Sequence, residues 1–185
     1  KKAKNGKRLL VLGGTRFLGP AIVDHALAQG WQVTLYNRGI SNPELYPDLD
    51  KRVGDRDTGD YSALDQGEWD VVVDTSCYVP QHARAAATAL KDKVGHYVLI
   101  STISVYDALN GGASPSGPID EDTQLGTMDN EVAESFMTIG SAFEGGMNFY
   151  GPLKALCERA VEAVLGTAPV DVLMQRGGVV GLRDF

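Results

Sequence analysis

Leu12 to Gly19, reading LGGTRFLG, follows directly on the apolar run Leu9-Leu10-Val11 and leads into a helical pattern from Leu18. A glycine-rich turn between a strand and a helix brings backbone close to a pyrophosphate. The helix then offers its free N–H groups and positive dipole end. Gly13 and Gly14 permit the tight turn, Gly19 lets helix pack on strand, and Thr15, Phe17 and Leu18 complete the loop. Where such turns usually carry a middle glycine, this chain has Arg16. The motif is therefore either damaged or retuned. A glycine pattern alone is weak evidence, but its context here is the required one. A strand precedes it (Arg8 to Leu12), a helix follows (Leu18 to Gln29), and a second strand ends about 20 residues on.

Outward from that turn, short apolar strands alternate with helical patterns, which predicts a parallel α/β sheet. In the first helix Pro20 suits the opening turn, Ile22, Val23, Ala26 and Leu27 share a face, and Gly30 ends it. Strands are expected at Gln32 to Tyr36, Lys51 to Val53, Trp69 to Thr75, His96 to Ser101 and Val170 to Met174. Helices are expected around Gln81 to Lys91 and Tyr150 to Leu165. Residues 38–50 read as a loop. Residues 107–147, containing NGGASPSGP and IDEDTQL, read as a long irregular segment, which in a compact domain implies a substrate loop.

The chain's 185 residues suit one domain, able to bury roughly 70% of its unfolded surface. A net charge of −7 argues against a nucleic-acid or anionic membrane surface as the main partner, since those need clustered Lys and Arg. The basic cluster Lys1, Lys2, Lys4, Lys7 and Arg8 reads as a frayed terminus. Cys77 and Cys157 cannot form a disulfide framework. His25, His82 and His96 lie on three elements without ligand spacing, so no metal is expected. The expected compartment is the cytoplasm, although Lys1 in place of Met leaves an export signal removed upstream open. Trp31 and Trp69 read as packing residues, Cys77 as a buried structural thiol, and Glu121 and Asp122 as a solvated turn.

Three further signals carry chemistry. At the end of the second strand, where NAD-binding folds place an acid on the ribose, stand Asn37 and Arg38. A carboxylate would repel a 2′-phosphate, whereas an amide beside a guanidinium accepts one. With Arg16 approaching the same region, NADP is favoured and NAD is the alternative. Tyr150 and Lys154 stand four apart, sharing a helix face, so a cation would lie near a phenol and favour phenolate. Ser101 to Tyr106 (STISVY) lies at the carboxyl end of a strand, where open α/β sheets bind ligands and a hydroxyl can donate to a substrate carbonyl.

In this order the signals resemble the extended short-chain dehydrogenase/reductases, the NAD(P)-dependent epimerase/dehydratase family, from Arg8 to about Asp184. GGTRFLG with its central Arg is similar to an atypical branch holding reductase-like proteins and chloroplast stem-loop RNA-binding proteins. The resemblance implies a Rossmann-like doubly wound sheet. It implies Tyr150 as the catalytic acid/base, and Lys154 as the residue binding the nicotinamide ribose and lowering the tyrosine pKa. Thr102 takes the role of the catalytic hydroxyl, with Ser101 a less favoured neighbour. Asp55, followed by Arg56, matches the acid at the adenine amino group, and Thr75 and Ser76 line the riboses.

The departures narrow the chemistry. Ile103-Ser104 replaces the Asp-Glu pair that 4,6-dehydratases carry after the catalytic Thr, so dehydration by that route is not expected. Gly177 follows Arg176 where the family commonly has Pro, and the family's C-terminal substrate-binding portion is largely absent. The expectation is an NADP-dependent oxidoreductase or epimerase acting on a carbonyl or alcohol, sugar-related compounds included. A homodimer stays open. The alternative is a non-catalytic nucleotide sensor or RNA-binding member of the atypical branch.

Overall fold

The computed structural model describes residues 6–109, 117–120, 122–144, 147–166 and 170–175, the last six, Met147 and Asn148 by backbone alone. Lys1, Lys2, Lys4, Glu121, Arg176 and Gly177, together with most of NGGASPSGP, lie outside the described residues. The chain runs β1 (Arg8–Leu12), α1 (Leu18–Ala28), β2 (Gln32–Asn37), β3 (Asp50–Val53), β4 (Trp69–Asp74), α2 (Pro80–Leu90) and β5 (Val94–Thr102). Next come α3 (Asn130–Ser135), α4 (Ile139–Glu144), α5 (Met147–Leu165) and β6 (Val170–Gln175). Every pairing is parallel and the strand order is β3-β2-β1-β4-β5-β6. That is a doubly wound sheet whose order reverses between β1 and β4, so the ligand crevice opens at the carboxyl ends of these two strands.

Side-chain alternation along β1 builds two cores. Leu10 and Leu12 join Tyr36, Val72, Tyr97 and Leu99 beneath α2 and α5, with Cys157 and Val161 of α5. Leu9 and Val11 point to the other face and meet Val23 and Ala26 of α1, with Val33, Leu35 and Val98. β1 and β4 are covered on both faces, which is why LLVL and VVV read as unbroken apolar runs. Burial of this kind returns roughly 25 cal/mol per Å2 of apolar surface. Leu27, expected on the buried face of α1, is instead 38% exposed.

The main correction concerns residues 107–147. Two short helices stand where an irregular segment was expected, each closed by local side-chain bonds that composition hides. The Asp129 carboxylate accepts from the backbone N–H groups of Glu131 and Val132 at the start of α3. Thr138 Oγ1 accepts from Ser141 N at the start of α4. Both helices pack on α5 and on the turn after β4, through Ala133, Ala142, Leu153 and Val79. Tyr106 also bridges antiparallel to Leu125.

Candidate active site

A cavity of about 490 Å3 lies at the carboxyl ends of β1, β2, β4 and β5. Its floor is the LGGTRFLG turn. Gly13 and Gly14 take φ values of 107° and 91°, where a side chain is strained, and a Cβ on Gly13 would meet Thr75 Oγ1 at 2.4 Å. A Cβ on Gly19 would lie 2.5 Å from the carbonyl carbon of Gly14, so only glycine lets α1 start this close to β1. Phe17 caps α1 with φ 52° and ψ −114°, offers no side-chain acceptor to the N–H groups of the first turn, and is 81% exposed at the cavity wall. With no side chain closing the first turn of α1, its dipole end faces the cavity.

The residues expected around this floor divide into lining groups and supports. Arg16 and Arg38 are exposed and line the cavity with Thr15 and Leu18, on the side of Ile40 and Ser41. Arg38 Nη1 keeps only a loose approach, 3.9 Å, to Asp57 Oδ2. Asn37 lines the cavity as well: its Nδ2 donates to Gly13 O at 2.9 Å and its Oδ1 accepts from Gly39 N at 2.8 Å. The amide therefore ties β2 to the glycine turn. Thr75 Oγ1 and Ser76 Oγ both donate to Leu12 O, fixing the turn after β4 against the turn after β1. Asp55 borders the cavity and accepts from Asp57 N.

Arg56 borders the cavity with its charge already paired. Its guanidinium makes a two-pronged pair with Asp74, at 2.8 and 2.6 Å, and both side chains are buried. Tyr97 Oη donates to the same carboxylate at 2.8 Å, and Ser76 N donates at 3.1 Å. Burial opposes ionisation of Asp74, yet Arg56 and these donors hold its carboxyl below the ordinary carboxylate range. Arg56 thus braces the cavity floor through Asp74. Sequence reading missed Asp74 as its partner, because nothing in the interval between them signals the pairing.

At the other end of the cavity stand Tyr150 and Lys154 of α5. The Thr102 hydroxyl lies close enough to the Tyr150 phenol to lower its pKa, and itself donates to Ser104 Oγ at 3.3 Å. Ser101, its neighbour, is buried and donates to the Glu158 carboxylate, so the two hydroxyls separate into one facing the tyrosine and one facing the core. Lys154 is buried and donates to the carbonyls of Cys77 and Ile100, both at 2.7 Å, with Nζ 5.7 Å from the Tyr78 ring centre. The expected lowering of the phenol by Lys154 is not what this arrangement produces. Burial, followed by the Cys157 thiol, raises the Tyr150 pKa, and only the Thr102 hydroxyl draws it down. The phenol is therefore the stable form at neutral pH.

Two features went unseen in the sequence. The Tyr78, Phe143 and Tyr150 rings form a run beside Lys154: Tyr78 to Phe143 at 5.0 Å and Phe143 to Tyr150 at 6.1 Å. Asp57 Oδ1 accepts from Ile139 N of α4 at 2.9 Å and lies 3.5 Å from Nε2 of the buried His82. Burial and Arg56 push the His82 pKa down. Tyr78 to Phe143 and Asp57 to Ile139 join residues more than 50 positions apart, and no local pattern announces them.

No family model matches the chain. The chloroplast stem-loop binding protein of 41 kDa b of Arabidopsis thaliana is 29% identical over 56% of this chain and 31% of its own length. Among solved structures, the enzyme WbmG of Bordetella bronchiseptica, in complex with NAD, superposes with a TM-score of 0.65 at 18% identity, over 94% of this chain and 53% of its own. The dTDP-glucose 4,6-dehydratase of Bacillus anthracis, also with NAD, gives 0.62 at 16% identity over 91% and 54%. A UDP-glucose 4-epimerase gives 0.65 at 15% over 90% and 50%. The chain spans about a third of the curated relative and about half of each of these structures. Its fold is the Rossmann-like fold of the extended short-chain dehydrogenases, epimerases and dehydratases that its motifs resemble.

Proposed function

We propose that this chain carries the nicotinamide-binding half and the proton-transfer residues of an NADP-dependent oxidoreductase or epimerase acting on a carbonyl or alcohol. One observation carries the reading: a single cavity has Arg16 and Arg38 at one end and Tyr150 and Lys154 at the other. The structural neighbours' NAD complexes support a nicotinamide cofactor. The glycine cradle suits its pyrophosphate, since Gly13 and Gly14 bring bare backbone to the cavity wall at the start of α1. When bound, the cofactor would supply or accept hydride.

The chain's own groups would do the rest. Gly13, Gly14 and the first turn of α1 would hold the pyrophosphate, and Arg16 and Arg38 the 2′-phosphate. Lys154, anchored by the carbonyls of Cys77 and Ile100, would bring its ammonium to the nicotinamide ribose. Thr102 would orient a substrate oxygen, and the Tyr150 phenol would deliver a proton to it in reduction and recover it in oxidation. Stem-loop binding, which the Arabidopsis relative's name states of that protein, has less support here, because a net charge of −7 gives little attraction for phosphates. The test is titration of the chain with NADPH, followed by assay of oxidised cofactor release with carbonyl substrates. Saturable binding with release supports a reductase, retention with stereochemical exchange supports an epimerase, and absence of NADPH binding overturns the reading.

A further inference from the structure

The helix α4 is held to the cofactor half of the molecule by one polar tie and delivers one aromatic ring to the reacting end. The tie is Ile139 N to Asp57 Oδ1 at 2.9 Å, across 82 residues of sequence. Asp57 follows β3, in the turn beside Arg38, whereas Ile139 opens α4 and lines the cavity. One turn further on, Phe143 projects into the same cavity, half-exposed, with its ring 24° from the plane of Tyr150 and 58° from that of Tyr78. Ala142 of the same helix is fully buried against Val79 and Leu153, so the backbone carrying Phe143 is fixed by packing as well as by the tie.

The chemistry of this end is one-sided. Beside Tyr150 the described lining consists of Tyr78, Ile100, Ser101, Ile139, Phe143 and Lys154. Ser101 donates to Glu158, and Lys154 places two of its three donors on backbone carbonyls, leaving the third for the nicotinamide ribose of the proposed cofactor. Among these residues no cationic side chain is left to hold a carboxylate or phosphate next to the reacting carbon. The Phe143 ring instead offers a face that favours aryl or CH surface, through dispersion and the removal of apolar area from water.

We infer that α4, latched by Asp57, is the specificity wall of this site. Phe143 is the discriminating side chain, selecting carbonyl compounds that present an uncharged aryl or CH-rich face beside the reacting carbon. The inference rests on the proposed carbonyl chemistry and names its substrate class. Asp57 acts through Ile139 and is a positioning residue, not a catalytic one.

The test compares acetophenone with 4-carboxyacetophenone, bound to the NADPH-loaded chain carrying Tyr150→Phe so that no turnover intervenes, by saturation-transfer NMR and calorimetry. The neutral ketone is expected to bind at least about tenfold more tightly than its carboxylate. Phe143→Ala is expected to weaken the neutral ketone at least about tenfold while Phe143→Trp retains it. Asp57→Ala is expected to weaken it in the same direction with NADPH affinity unchanged by Phe143→Ala. Equal binding of the two ketones, no binding of either, or indifference to Phe143→Ala overturns the inference. Failure of NADPH to bind overturns the functional reading itself, and so the two failures are told apart in the first titration.

Discussion

Arg56 and Asp74 meet fork to fork, Nη1 to Oδ1 at 2.8 Å and Nη2 to Oδ2 at 2.6 Å, under the floor of the cavity. Both are buried, so removing one leaves the other charged and unpaired in a low dielectric. Arg56→Met is therefore expected to destabilise the chain by about 3–5 kcal/mol. Chemical denaturation with and without the substitution measures it, and a loss below about 1 kcal/mol would show that the pair contributes little net stability.

The same pair sets an acid limit. The native Asp74 carboxyl lies below its unfolded value, with burial working against this and Arg56 and its hydrogen bonds more than offsetting burial. A depressed native value contributes stability that is fully present above the unfolded pKa of about 4. That contribution is lost as pH falls through the native value. Stability curves from pH 7 to pH 2 should therefore drop below about pH 4, and the Asp74→Asn chain should lose this part of the slope.

Arg38 and Arg16 offer the exposed cations at the β2 side of the cavity. Asn37, bonded to Gly13 and Gly39, is not expected to contribute to phosphate contact. NADPH should bind more tightly than NADH, and Arg38→Asp should remove about 10- to 100-fold of that preference, the size of a charge-assisted hydrogen bond. Asn37→Asp should instead perturb the glycine turn and weaken both cofactors. Fluorescence titrations with both nucleotides decide it, and an unchanged ratio in Arg38→Asp would remove Arg38 from the site.

How far these residues could be read from the sequence depended on the range of the forces that place them. Val71-Val72-Val73 and Leu9 to Leu12 announce buried parallel strands, because a strand covered on both faces is apolar throughout. The glycine cradle and the Tyr150–Lys154 pair are local spacings, and both survive into the structure as lining of one cavity. What stayed hidden depends on sheet order. Arg56 finds Asp74 because the chain after β3 returns across the sheet toward the end of β4. Asn37 has the chemistry of a phosphate ligand and the geometry of a strut, a distinction made only by Gly13 O lying 2.9 Å away. The helices α3 and α4 escaped because each is only six residues long and their anchors, Val79 and Asp57, lie far back in the chain.

Tyr150 is expected to carry proton transfer as a phenol. Burial raises its pKa, and the nearby Thr102 hydroxyl counters burial only in part. Reduction should hold its rate through neutral pH and fall only in strong alkali. Oxidation, which needs phenolate, should rise with pH across the same range. Tyr150→Phe should lower turnover by about 10^2- to 10^4-fold and leave cofactor binding intact. Steady-state rates in both directions against pH test this, and a variant with full activity would end the assignment.

Glu158 gives a prediction of the opposite sign. Its carboxyl is buried, accepts from Ser101 Oγ, and has its pKa raised by burial, with Ser101 and Lys154 pulling it back. A raised native value means the protonated form is favoured by folding. The associated stability is present below the unfolded pKa of about 4.3 and is lost as pH rises through the native value. At neutral pH the ionised side chain then carries an uncompensated desolvation cost. Glu158→Gln keeps an acceptor for Ser101 without the charge, so it should match the parent chain in acid and exceed it in stability at pH 8. Thermal denaturation of both chains from pH 4 to pH 8 measures the divergence. Parallel curves would mean that Lys154 already neutralises the carboxylate in full, and a Glu158→Gln chain less stable at pH 8 would make the Lys154–Glu158 attraction a net support of α5.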